Sequence, residues 1–185
     1  WGDSAYGNQF VSEMLEKDAE GHYIAADKLI EIAQYYGFDG YIFNAESGTG
    51  VSGFKDFLAY LQRNKPDNFT ITWYNGSGGL SSGSIKSWMQ DGDTRITDEW
   101  WLDMSGGGNV DSTIQAAQEC GVDPWNIHST WEYWPMSGMP GTKGGNYQTR
   151  LDATGKLKCS LGILAPTCTL TQATSSDDYM NVQDQ

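Results

Sequence analysis

Apolar positions along this chain recur with two periods, about 3.6 and 2, and the alternation between them predicts its elements. Phe10, Val11, Met14 and Leu15 mark a first helix over 8–17, with Asp18-Ala19-Glu20-Gly21 as its exit turn. Ala26, Leu29, Ile30, Ala33 and Tyr36 form the stripe of a second helix, and Gly37 stands where a left-handed residue would end it. A strand follows over 38–46. Gly48 and Gly50 open a turn, and Phe54, Phe57, Leu58 and Leu61 mark a third helix that stops before Lys65-Pro66. β-branched and aromatic residues over 69–74 predict a second strand. After it come a Gly/Ser-rich loop over 75–83, a short helix over 85–89 and a strand over 95–102. A helix over 109–119 stops at Gly121, and strands over 125–131 and 159–165 flank a Gly/Pro-containing surface loop over 135–145. Five strands separated mostly by helices call for βαβ units in a parallel α/β sheet.

The strand Phe38-Asp39-Gly40-Tyr41-Ile42-Phe43-Asn44-Ala45-Glu46 organises the rest. Its alternation turns Ile42, Asn44 and Glu46 to one face and Tyr41, Phe43 and Ala45 to the other, so an amide and a carboxylate share the carboxyl end of one face. That end of a parallel sheet is where barrel enzymes carry their chemistry. Asn44, Glu46, Tyr74, Asp98, Trp100, Trp131 and Ala165-Pro166 are all expected near it. A structural Glu hydrogen-bonded by Asn is the competing reading of the same pair.

Charge narrows the partners. Lys and Arg number 11 against 24 Asp and Glu, and a net charge of −13 argues against phosphate backbones and acidic membranes. No stretch approaches the 18 or so apolar residues of a membrane span. Aromatic residues make up 13%, with Trp 8 and Tyr 10, which suits either a sugar-binding cleft or a large aromatic core. Cys120, Cys159 and Cys168 lack a CxxC spacing and, with His22 and His128, do not suggest zinc. They read as small core residues, and their odd number leaves the redox compartment open. The string Asp91, Asp93, Asp98 and Glu99 departs from the calcium-loop pattern and reads as a solvated acidic loop. No GxxxxGK[ST] match occurs in the loop over 75–83, whose glycines suit a mobile rim over a cleft or a plain linker. No metal and no cofactor is expected.

Four motifs in order, Tyr35-Tyr36-Gly37-Phe38-Asp39-Gly40, Asn44-x-Glu46, Thr72-Trp73-Tyr74 and Leu161-Gly162-Ile163-Leu164-Ala165-Pro166-Thr167, resemble glycoside hydrolase family 85, the endo-β-N-acetylglucosaminidases. The resemblance implies a (β/α)8 TIM barrel that cleaves the GlcNAcβ1-4GlcNAc bond in the chitobiose core of N-glycans, with transglycosylation as a side activity. It assigns Glu46 as general acid/base, Asn44 as the amide that orients the substrate 2-acetamido group, and Tyr74 as their helper. The acetamido oxygen then replaces a carboxylate nucleophile and gives an oxazoline intermediate with retention. Glu46 must carry a proton when it meets the glycosidic oxygen, which enclosure by Ile42, Phe43 and nearby aromatics would favour. Trp88 matches an aromatic that shapes the acceptor side, and Trp73, Asp98, Trp100, Trp101 and Trp131 are further candidates for substrate contact. Ala45 departs from the larger residue the family often has between its Asn and Glu.

The same resemblance places 1–185 as a partial barrel, truncated at both ends, holding strands four to eight; a chain that opens on Trp1 fits that expectation. Its partners would then be N-linked glycans and the remaining barrel strands, without which sheet edges are exposed. A non-catalytic glycan-binding protein on the same fold is the alternative. Chitinase-type or hexosaminidase-type enzymes typically carry an acidic residue where Asn44 stands. The family implies secretion or surface attachment, with a cytoplasmic location left open. Sequons at Asn68 and Asn75 matter only in a glycosylating pathway.

Overall fold

The structure, a computed structural model, describes residues 7–46, 51–103, 109–132 and 147–164. Helices α1 (Gly7–Met14) and α2 (Ile24–Tyr36) lead into β1 (Gly40–Asn44). Then come α3 (Phe54–Asn64), β2 (Thr70–Tyr74) and α4 (Ser82–Trp88). Two short strands, β3 (Gln90–Asp91) and β4 (Thr94–Arg95), make an antiparallel hairpin before β5 (Glu99–Trp101). Helix α5 (Val110–Glu119), β6 (Ile127–Glu132) and β7 (Ser160–Leu164) complete the described chain. The sheet order is β1-β2-β5-β6-β7, and every pairing in it is parallel. This is the α/β layout of an arc of a (β/α)8 barrel.

The sheet has two unlike faces. Toward the helices it turns Phe43, Ile71, Trp73, Trp100 and Ile127, which pack with Phe54, Phe57, Leu58 and Ile85 in one apolar core. Trp73 and Trp100 are each 0% exposed. The Trp73 ring lies against Trp88 at 4.6 Å, Phe54 at 5.7 Å and Trp100 at 6.4 Å, tying α3 and α4 to β2 and β5. The other face carries Asn44, Thr72, Tyr74, Glu99, Trp101 and His128, which follows from the alternation of the paired strands. Gly40 has φ +145, and a Cβ there would stand 1.9 Å from the Thr70 carbonyl oxygen, so β1 and β2 approach as they do only because position 40 has no side chain.

The structure departs from the sequence reading at several points. The strand expected over 95–102 is divided: Arg95 belongs to the hairpin, and only Glu99–Trp101 joins the sheet. Tyr36, the last member of the predicted stripe, is exposed and stacks on Phe38, because α2 buries only Ala26 and Ala33 deeply. Gly37 does end α2 in the left-handed region, at φ +73. The loop after β2 is pinned rather than a mobile rim: the Leu80 N–H donates to Thr113 Oγ1 at 2.9 Å and the Asp103 N–H to the Ser77 carbonyl at 2.8 Å. Glu99 lies in a strand, not in a solvated acidic loop. Cys159 is buried and Cys120 partly buried, both as free thiols. The turn at Gly48 and Gly50, the loop over 135–145, Ala165-Pro166-Thr167 and Cys168 lie outside the described residues.

Trp73→Ala is expected to lower unfolding stability by about 3–5 kcal/mol, a large share of what a domain possesses. Gly40→Ala is expected to cost more than Gly37→Ala, which bears only about 1 kcal/mol of left-handed strain. Urea unfolding of the three variants measures both.

Candidate active site

Parallel register assembles the site. Asn44 on β1 is the Cα partner of Tyr74 on β2, and the Ala45 N–H donates to the Tyr74 carbonyl at 2.8 Å, which carries the pairing one residue beyond the strand. Glu46 therefore stands above Asn44 on the same face. The three side chains meet Trp101, Ile42 and Thr130 around a cleft of about 330 Å³. A smaller cleft of about 110 Å³ lies toward α1 and α3 and is lined mainly by apolar groups such as Val11, Met14, Leu29 and Phe54, with no acid or base.

Asn44, Glu46 and Ile42 are exposed, Ile42 at 55%, so Glu46 is not enclosed by apolar neighbours as expected from its flanks. The reason is topological: β1 is the edge of the described sheet and is covered on one side only. Tyr74 is more enclosed. Its hydroxyl donates to Asp103 Oδ2 at 3.0 Å. Burial first, then this bond and the charges of Asp103 and Glu46, push the phenol well above its ordinary 10.0 and keep it protonated.

Beneath the cleft lies a polar layer that the sequence reading did not identify. The Thr72 hydroxyl donates to Glu99 Oε2 at 3.0 Å, and His128 Nε2 lies 3.2 Å from the same oxygen. The imidazole nitrogen is close to that oxygen but not aimed squarely along it. His128, ahead of the opposing cost of burial, holds the Glu99 carboxyl below its ordinary 4.5. Trp101 stacks on His128 at 5.4 Å and 29°. Across the ring, a Cβ on Gly162 would come within 3.4 Å of Trp101 and 3.1 Å of Thr130 Oγ1, so the absent side chain leaves room for the indole.

The sequence-predicted aromatics separate by face. Trp101 lines the cleft. Trp73 and Trp100 point into the helix-side core, fully buried, and are not available to stack on a sugar. Alternation requires this, because neighbours in a strand cannot share a face. Trp88 packs on Trp73 and Phe54 rather than over the cleft. Asp98 lies at the amino end of the sheet, the wrong end for the site. It accepts from the Ile71 N–H at 2.8 Å and from Gln62 at 2.8 Å, and pairs with Lys65 at 3.1 Å. The backbone of Trp131 pairs with Ile163, and its side chain lies outside the described residues. Asp103 and His128 are the functional candidates that were missed. Period-2 spacing from Trp101 finds Asp103 and Glu99, but a strand ended at Leu102 stops one residue short of it.

Because its folded carboxyl titrates below the unfolded value, Glu99 contributes stability that is fully present above about pH 4.5 and is lost as the pH falls through the folded value. Glu99→Gln is therefore expected to unfold more easily than wild type near neutral pH, and the difference is expected to shrink on acidification. Thermal melts across that range measure it.

The sequence matches the model of glycosyl hydrolase family 85 over residues 2–185. Among solved structures the chain is similar to the glycoside hydrolase domain of Endo-D from Streptococcus pneumoniae, with TM-score 0.76 and 25% identity, covering 98% of this chain and 31% of that one. A second structure, the spore cortex-lytic enzyme SleL of Bacillus cereus, aligns with TM-score 0.47 and 15% identity over 72% of this chain and 35% of its own. None of the curated proteins compared with the chain matches it. The chain thus spans about a third of the length of the Endo-D structure. Its match along nearly the whole sequence, together with the parallel α/β sheet, shows that the chain belongs to glycosyl hydrolase family 85.

Proposed function

We propose that the protein containing this chain is an endo-β-N-acetylglucosaminidase that cleaves the GlcNAcβ1-4GlcNAc bond of N-glycan cores by a substrate-assisted, retaining route. The observation that supports this reading most directly is the convergence of Asn44, Glu46 and Tyr74 at the carboxyl ends of β1 and β2, on one cleft. In the first step the acetamido oxygen bonds to the anomeric carbon while the glycosidic bond breaks, and the leaving oxygen takes the proton of Glu46. Asn44 holds the acetamido group in line. In the second step water bonds to the anomeric carbon, the oxazolinium ring, which has kept the acetamido N–H, opens back to the amide, and Glu46 receives the water proton. A sugar hydroxyl in place of that water gives transglycosylation.

Exposure of Asn44 and Glu46 at the edge strand fits a barrel in which further strands of the full-length protein close over β1, since closure is what removes an edge. In this reading catalysis is a property of the full-length protein, and the family points to secretion or surface attachment.

The test is release of glycan from a high-mannose and a core-trimmed glycopeptide by the full-length protein, beside residues 1–185 alone. Glu46→Gln is expected to lower the rate by about 10²–10⁴-fold through loss of proton transfer. Asn44→Asp is expected to slow the first step while leaving proton transfer in place. Full activity of Glu46→Gln overturns the assignment, a soluble monomeric 1–185 with turnover overturns the need for further strands, and glycan binding without release supports a binding protein instead.

A further inference from the structure

Two carboxylates flank one phenol in the cleft. Tyr74 carries a single hydroxyl proton, which it donates to Asp103 Oδ2 at 3.0 Å, and the Glu46 carboxyl also acts on that hydroxyl. An ionised Asp103 only accepts, so once the phenol proton is directed there, the phenol oxygen can face Glu46 only as an acceptor. Asp103 is itself held by its backbone. Its N–H donates to the Ser77 carbonyl at 2.8 Å, and Ser77 in turn donates its N–H to Asn75 Oδ1 at 3.2 Å in the turn that follows Tyr74. On the other side the Leu102 N–H donates to the His128 carbonyl at 2.9 Å. The residue that receives the Tyr74 proton is therefore held by the loop after β2 on one side and, through its neighbour Leu102, by β6 on the other.

We infer that Asp103 is a positioning residue of this site: by accepting the Tyr74 hydroxyl proton it fixes the phenol as an acceptor toward Glu46 and keeps Glu46 free to deliver its own proton to the leaving oxygen. The inference rests on the proposed role of Glu46 as acid and base. Without Asp103 the phenol turns and donates to Glu46, an arrangement that ties up the carboxylate rather than the acid. The inference concerns the part of the Asp103 effect that passes through the Tyr74 hydroxyl.

The experiment is a double-mutant cycle in the full-length protein, read as glycopeptide cleavage. Asp103→Ala is expected to lower kcat/KM about 10-fold or more, mostly in kcat, as befits loss of a hydrogen bond to a charged group. Asp103→Asn, whose carbonyl oxygen still accepts the phenol proton, is expected to recover most of that loss. On a Tyr74→Phe background, Asp103→Ala is expected to cost clearly less than it does with Tyr74 in place. A second readout needs no turnover: with isotope-labelled tyrosine, the Tyr74 resonance, assigned by its disappearance in Tyr74→Phe, is expected to titrate at lower pH in Asp103→Ala than in wild type. An undiminished Asp103→Ala effect on the Tyr74→Phe background, or an unchanged Tyr74 titration, overturns the inference. A wild type that cleaves no glycopeptide overturns the hydrolase reading and the catalytic sense of the pairing, while the titration still reports whether Asp103 holds Tyr74.

Discussion

Burial of Trp73 is the constraint on which the rest of this sheet depends. The ring is enclosed by Phe54, Trp88 and Trp100, one from each of three neighbouring elements, and it is fully buried. Because side chains alternate along a strand, fixing Trp73 toward the helices turns Thr72 and Tyr74 to the opposite face. A slip of one residue in β2 would exchange the largest core side chain for a polar phenol, so the register is strongly determined. The parallel ladder then carries that choice sideways, placing Asn44 beside Tyr74 on β1 and Trp101 beside His128 on β5 and β6.

The face opposite the helices carries polar groups, and they are paired in a way that serves the cleft above. Thr72, Glu99 and His128 form a connected set, and His128 supports the flat face of Trp101. Ionisable groups drawn partly out of solvent cost solvation and are often retained where they do something besides stabilise. Here they orient an indole that lines the cleft, with Gly162 leaving the space the ring occupies. Stability and the shape of the site are thus set by the same contacts.

Glu46 and Asn44 present the opposite situation. Their backbone is held by the ladder and by the bond from Ala45 to the Tyr74 carbonyl, but their side chains are exposed at the edge of the described sheet. Tyr74, one strand inward, is the best-held member of the three and connects them to Asp103.

Local chemistry alone determined the alternation of helices and parallel strands, the end of α2 at Gly37, and the placement of Asn44 and Glu46 on one face, since period and turn residues act over a few positions. The motif Asn44-x-Glu46 is legible for the same reason: two residues apart in a strand means one face. What the sequence could not sort was the use of the aromatics. Trp73, Trp100 and Trp101 have the same side chain, and only the direction each faces separates a core residue from a wall of the cleft. Asp98 and Asp103 are likewise alike in type; one secures the amino end of the sheet through Lys65 and the other reaches Tyr74 at its carboxyl end. Those assignments depend on where β5 begins and on which strands flank it. Both are decided by packing between segments distant along the chain, which no local pattern encodes.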